Sequence, residues 1–163
     1  MIAIKVFLVI SILLFLHEMS HALAAKILGL TIDGYGFKSK PYPHFYVSAE
    51  RPRNEFQKYF YLLAGLFSTL VWATVCWFIG WTSYDFITWA FIIQISTETN
   101  PFYSDFTIAI IDHKIHKQIK TIPTKKDYDA IIKKHQFSIQ WYIHFILWAT
   151  LVISLTKYVP HLI

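Results

Sequence analysis

Long apolar stretches separated by short charged segments dominate the chain. A helix needs about 20 predominantly apolar residues to cross the hydrocarbon core of a bilayer. Four stretches meet this length, so the pattern predicts four membrane-spanning helices, over residues 2–30, 59–84, 86–111 and about 137–157. Polar residues and a proline interrupt the third stretch, at Glu98, Asn100, Pro101 and Asp105.

Composition agrees with this pattern, since 55% of the residues are hydrophobic, 18% aromatic and only 15% charged, as is typical of a polytopic membrane protein. The 163 residues leave no room for a separate soluble domain, and we expect an all-α polytopic fold that forms one integral membrane domain, 1–163. The first stretch also has the place of a signal peptide, but its apolar run is long and no small-residue cleavage pattern follows it. The lone Cys76 has no disulfide partner within the chain.

Basic residues are segregated along the chain. Of the 15 Lys and Arg, five lie between Thr31 and Lys58 and seven between His113 and Lys134, with none from Tyr59 to His113. The positive-inside rule therefore places both basic loops in the cytoplasm, and with four crossings both termini lie on the opposite side. The net charge of +5 belongs to loops beside the lipid bilayer, so no nucleic-acid partner is expected.

The first apolar stretch contains His17-Glu18-Met19-Ser20-His21, an HExxH pattern. Residues four apart lie on one face of a helix, so His17 and His21 can present two imidazoles to one zinc ion. Glu18 lies on a neighbouring face, where its carboxylate can act as general base on a metal-bound water. Because charged or strongly polar groups are costly at bilayer depth, a bound cation explains this cluster better than chance or structural packing does.

A catalytic zinc site takes three protein ligands and keeps one position open. Counting from the cytoplasmic helix ends, His21 lies about 14 Å deep and Asp105 about 11 Å deep at 1.5 Å per residue, which makes Asp105 the best third ligand. Asp85 belongs to the opposite interface and Asp112 to the cytoplasmic edge. Glu98 is expected to lie deeper than the metal, unless the chain unwinds there.

Asn100-Pro101 predicts a break in the third stretch just before Asp105, because proline lacks a backbone donor and disfavours helix at the preceding residue. Non-helical backbone at membrane depth is tolerated mainly where it lines a polar cavity. Asn100 has two interpretations of equal weight: it binds the substrate or a developing oxyanion, or it satisfies carbonyls freed by the break.

Small residues in the first two stretches predict close helix packing, at Ala22, Ala25, Gly29, Ala64, Gly65 and Ser68. With these features together, the chain resembles the site-2 protease family of intramembrane zinc metalloproteases. The resemblance rests on the HExxH pattern, on Asn100-Pro101 followed by Asp105, and more loosely on residues 63–68; it covers a three-helix core, roughly residues 2–112. Ser104 and Phe106 flank Asp105 where the family usually has Leu and Gly.

The resemblance implies a minimal member, without the PDZ or nucleotide-sensing domains of larger relatives. It implies His17, His21 and Asp105 as ligands of one Zn²⁺, Glu18 as catalytic base and Asn100 as an aid to substrate positioning. It also implies a short β-hairpin-like loop after the first helix, over residues 31–50. The function expected is a zinc-dependent endopeptidase that hydrolyses peptide bonds in or near a transmembrane segment of a membrane protein or peptide, with its active site nearer the cytoplasmic side.

Three rival functions stay open at this level: a metal-binding or transport protein that has no need of Glu18, a haem protein that uses His17 or His21 with His144, and an inactive relative of the protease. His144 itself either packs within the fourth helix or approaches the site. The sequence does not name the substrate, and the small size leaves room for a regulatory partner or an oligomer.

Overall fold

The computed structural model describes residues 2–38, 44–50, 52, 54–102, 104–118 and 125–158. Within these ranges the chain is mainly helical, with one two-stranded antiparallel sheet. The elements in chain order are α1 (Ile2–Ile27), β1 (Ile32–Lys38), β2 (His44–Ala49), α2 (Glu55–Phe78), a 3₁₀ turn (Trp81–Ser83), α3 (Asp85–Glu98), α4 (Asp105–Gln118), α5 (Lys125–His135) and α6 (Ile139–Tyr158).

Three of the described helices, α1, α2 and α6, are long and apolar enough to cross a membrane. The prediction of four such helices was wrong, because the third stretch is divided into α3 and α4. Each has 14 residues, which is roughly 21 Å of helix and shorter than the bilayer core of about 30 Å. Large apolar side chains cover the outward faces of the three long helices, as expected of surfaces in contact with lipid; they include Phe7, Phe15, Phe67, Trp77, Ile146 and Ile153.

The division falls between Glu98 and Asp105, near the buried Pro101. The Asn100 side chain donates to the Thr97 carbonyl and accepts from the Phe102 N–H. Ser104 then starts α4, because its Oγ accepts the Thr107 N–H at 3.2 Å, as an N-cap residue does. The predicted break is therefore a defined turn, and it places Asp105 as the first residue of α4.

Helix α6 packs along this break and hydrogen-bonds to carbonyls beside it. Trp148 Nε1 donates to the Ser96 carbonyl at 2.8 Å, and Trp141 Nε1 to the Pro101 carbonyl at 3.1 Å. His144 Nε2 lies 3.0 Å from the Thr99 carbonyl oxygen. The three side chains are spaced by three and four residues and therefore share one face of α6.

The segment after α1 is the predicted hairpin. Gly29, with a φ of 67°, lets the chain leave the helix in the left-handed conformation that glycine adopts without steric cost. Strands β1 and β2 then pair in antiparallel register, with Tyr35 opposite Val47 and an irregularity between Ile32 and Gly34.

The helical core lies between α1, α2 and α3. Its buried apolar cluster consists of Leu13, Cys76, Ile87, Ala90 and Phe91. Cys76 is a free cysteine within this cluster. Closer to the HExxH end of α1, Ala22, Ala24 and Ala25 are buried. The small residues thus allow the backbones of these helices to approach closely.

Candidate metal site and cavity

His17, His21 and Asp105 meet where α1 passes the start of α4. The Nε2 atoms of the two histidines lie 3.1 Å apart, and Asp105 Oδ2 lies 3.1 Å from each of them. The three side chains therefore lie close enough to hold one metal ion. Ligands of a tetrahedral zinc at 2.0–2.1 Å are expected roughly 3.3 Å apart, which this triangle approaches.

The second nitrogen of each imidazole has its own partner. His21 Nδ1 lies 2.8 Å from the carbonyl oxygen of Tyr61. Because a carbonyl oxygen can only accept, this nitrogen carries the proton and leaves the lone pair on Nε2. His17 Nδ1 lies 2.6 Å from Glu98 Oε1, so the same arrangement applies to both rings. A carbonyl or carboxylate behind each imidazole is the usual outer shell of a histidine-ligated metal.

These observations fit zinc. Two imidazole nitrogens and one carboxylate oxygen form a donor set that zinc accepts, and the lone pairs of both nitrogens point towards the same carboxylate oxygen. With both imidazoles neutral and protonated on Nδ1, three acceptor atoms face one another at these distances, and a bound cation would satisfy all three.

Gly65 of α2 lies directly against the His17 ring. A Cβ atom at this position would overlap the imidazole, and would lie 2.6 Å from its Nε2 atom. The small-residue pattern in the second helix thus has a local reason, which sequence reasoning treated only as general helix packing.

Glu18 lines the same cavity as His17 and Asp105, which has a volume of about 450 Å³. Its Oε2 accepts a hydrogen bond from the backbone N–H of Val47 in β2, at 3.1 Å. The hairpin therefore contacts the residue that the motif marks as the base. Apolar side chains form much of the remaining wall, namely Ile10, Leu14, Ile93 and Ile108.

Asn100 does not join the metal-site triangle. Its amide groups bond locally to Thr97 and Phe102, and its carbonyl accepts from Ser104 Oγ at 2.6 Å and Thr107 Oγ1 at 2.7 Å. This arrangement supports the helix-break interpretation of Asn100, and its role towards substrate stays a prediction. His144 lies against Thr99 and the ring of Phe106, which is a packing position on α6.

Sequence reasoning did not predict the contact between Glu98 and His17. Glu98 was expected deeper than the metal because depth was counted along a continuous helix, whereas α3 ends at Glu98 and α4 begins only at Asp105. The available signal was the charge itself, since an acidic residue within an apolar stretch calls for a partner. The expectation held only if the chain did not unwind at Glu98, and α3 does end at this residue.

Comparisons with models of known protein families, with curated proteins and with solved structures find no match for this chain.

Proposed function

We propose that the chain is a zinc-dependent intramembrane endopeptidase that cleaves peptide bonds in or near a transmembrane segment of a membrane protein or peptide. The observation that carries the proposal is the convergence of His17, His21 and Asp105 on one point, with Glu18 in the same cavity, among helices whose outer faces are apolar. The resemblance to site-2 proteases, in the HExxH pattern and in Asn100-Pro101 before Asp105, supports the same class.

Each residue has a defined task in this proposal. His17, His21 and Asp105 would hold the zinc, which when bound would act as a Lewis acid and lower the pKa of a water molecule in the site. Glu18 takes a proton from the attacking water and later delivers it to the leaving amine. The Val47 N–H fixes Glu18 Oε2, and Oε1 is the oxygen that exchanges the proton.

The cavity suits an apolar, extended peptide. Its isoleucine and leucine lining favours apolar side chains, which transmembrane segments supply. A peptide bond inside a helix is shielded and already hydrogen-bonded, so the substrate has to unwind locally before it can be attacked.

Strand β2 is the proposed place for the unwound peptide, through strand addition. The Val47 N–H donates to Glu18 and the Val47 carbonyl accepts from the Tyr61 hydroxyl at 3.1 Å, so the backbone of β2 at this residue faces the site. Both groups already have partners, so the peptide would pair with β2 beside Val47 rather than at it. Disruption of residues 45–48 is expected to slow cleavage; unchanged rates would remove the hairpin from the proposal.

The decisive comparison is between the wild type and Glu18→Gln, purified in detergent and offered a library of membrane-spanning peptides. Glu18→Gln is expected to retain zinc and to cleave about 10²- to 10⁴-fold more slowly, the range typical of general-base catalysis. Asp85→Asn is the matched control, because it makes the same change from carboxylate to amide at an exposed position, the start of α3.

Equal cleavage by the wild type and Glu18→Gln would contradict the proposal. Zinc in both proteins with cleavage by neither would favour a metal-binding protein or an inactive relative, and visible absorbance would favour the haem alternative.

A further inference from the structure

Glu98 connects three helices at one atom. It is the last residue of α3 and only 7% exposed. Its Oε1 lies 2.6 Å from His17 Nδ1 on α1, and accepts from Thr69 Oγ1 on α2 and from Gln94 Nε2 on α3, each at 2.8 Å. Glu98 is not one of the three proposed metal ligands, and it has no role in the proposed hydrolysis.

The two supporting donors are well protected from solvent. Thr69 is 2% and Gln94 1% exposed, so no water competes for their hydrogen bonds. The Gln94 amide can only donate through Nε2, and it therefore presents Glu98 Oε1 to His17 as an acceptor. In the neutral imidazole of His17, the proton is thereby placed on Nδ1.

The protonation of Nδ1 determines what the opposite nitrogen of the His17 ring can do. With the proton on Nδ1, the lone pair of His17 is on Nε2, the atom that lies 3.1 Å from His21 Nε2 and from Asp105 Oδ2. Gly65 meanwhile allows the ring to lie flush against α2. Both the tautomer and the direction of the His17 ring thus depend on groups that do not touch the metal position.

We propose that Glu98, held by Thr69 and Gln94, is a positioning residue that fixes His17 in the tautomer and orientation needed to bind zinc. The inference rests on the metal site of the proposed function and is independent of whether the chain cleaves peptides. A purely structural cross-link between helices would contribute to stability alone, whereas a positioning residue also determines the tautomer of His17.

The test uses the full-length protein in detergent and the variants Glu98→Leu, Glu98→Gln and Asp85→Asn. Zinc affinity is measured by competition with a chromophoric chelator, and the His17 tautomer in the metal-free protein by ¹⁵N NMR of the histidine side chains, assigned with a His17→Gln variant. Circular dichroism and gel filtration report whether each variant folds.

Glu98→Leu is expected to weaken zinc binding about 10- to 100-fold, the usual effect of removing an outer-shell partner, and to give a mixture of His17 tautomers. Glu98→Gln keeps an acceptor oxygen and should lose less affinity, while Asp85→Asn should behave as the wild type. A folded Glu98→Leu protein with wild-type zinc affinity and His17 still protonated on Nδ1 would overturn the inference.

The variants also decide the outcome if Glu98→Leu does not fold or if the wild type binds no zinc. If Glu98→Leu does not fold, Glu98→Gln and Thr69→Val decide, since Thr69→Val removes one donor to Oε1 while keeping the side-chain shape; wild-type affinity and tautomer in both would overturn the inference. A wild type that binds no zinc refutes the proposed metal site, and the NMR comparison alone then tests Glu98.

Discussion

At the scale of single residues, the geometry around His17 is the most constrained feature of the site. Gly65 lies against its ring, Glu98 Oε1 is 2.6 Å from its Nδ1, and its Nε2 lies 3.1 Å from Asp105 Oδ2. A metal site held within about half an ångström of its working geometry needs this kind of support behind the ligands. Substitutions of residues that only contact His17 should therefore change zinc binding.

Gly65→Ala is expected to weaken zinc binding by about tenfold or more, because the added methyl group displaces the His17 ring. Gly34→Ala is the matched control, since a Cβ at Gly34 meets no atom within 4 Å. Zinc affinity measured by chelator competition checks both variants. Wild-type affinity in Gly65→Ala would show that the ring is not confined as described.

Asp105→Ala should reduce zinc affinity by more than the roughly 10- to 100-fold expected of an outer-shell change, because it removes one of the three donor atoms at the site. Asp85→Ala, at the exposed start of α3, serves as its control. Tight zinc binding by Asp105→Ala would show that another residue supplies the third ligand.

At the scale of secondary-structure elements, α6 and the break between α3 and α4 form one unit. A helix that ends inside a membrane leaves carbonyl groups without partners. The indoles of Trp141 and Trp148 bond to two carbonyls beside this break, at Pro101 and Ser96. The position of Asp105 at the start of α4 therefore depends on a helix that contributes no ligand.

Trp148→Phe is expected to destabilise the protein by about 0.6–1.7 kcal/mol, the range of single interhelical hydrogen bonds in membrane proteins, because it removes the donor to the Ser96 carbonyl and keeps an aromatic ring. Trp77→Phe is the control, since Trp77 is 61% exposed on the outer face of α2. Reversible unfolding in mixed micelles measures the difference. Equal stability of the two variants would contradict the bracing role of α6.

Local patterns predicted much of this architecture. Apolar length predicted α1, α2 and α6, and Asn100-Pro101 predicted the break. The contacts that depend on tertiary packing were not predictable: the sequence does not show that Glu98 reaches His17, that Gly65 faces the same ring or that Trp148 reaches Ser96. Counting depth along a straight helix could not predict the contact of Glu98 with His17, because α3 ends at Glu98.

At the scale of the whole molecule, the described residues form three long apolar helices, α1, α2 and α6, and the two shorter helices α3 and α4 lie between α2 and α6 in the sequence. The hairpin β1–β2 follows α1, and the turn Trp81–Ser83 follows α2 at its far end. If α2 crosses the membrane, these two segments lie on opposite sides. The positive-inside rule predicts that the hairpin side faces the cytoplasm.

Cysteine labelling tests this topology. In a Cys76→Ala background, Asp33→Cys in β1 and Ser83→Cys in the turn provide exposed thiols. A membrane-impermeant maleimide is expected to label Asp33→Cys only from the cytoplasmic face and Ser83→Cys only from the other face. Labelling of both from one face would refute the crossing by α2, and reversed labelling would refute the orientation.

Zinc-dependent peptide cleavage in this cavity can be tested by titrating metal-stripped protein with zinc while cleavage of a transmembrane peptide is followed. We expect no cleavage before zinc is added, a rise in proportion to bound zinc, and a plateau at one ion per chain, with no such rise in Asp105→Ala. Cleavage that persists after the metal is removed, or one bound zinc per chain without any cleavage, would contradict the account.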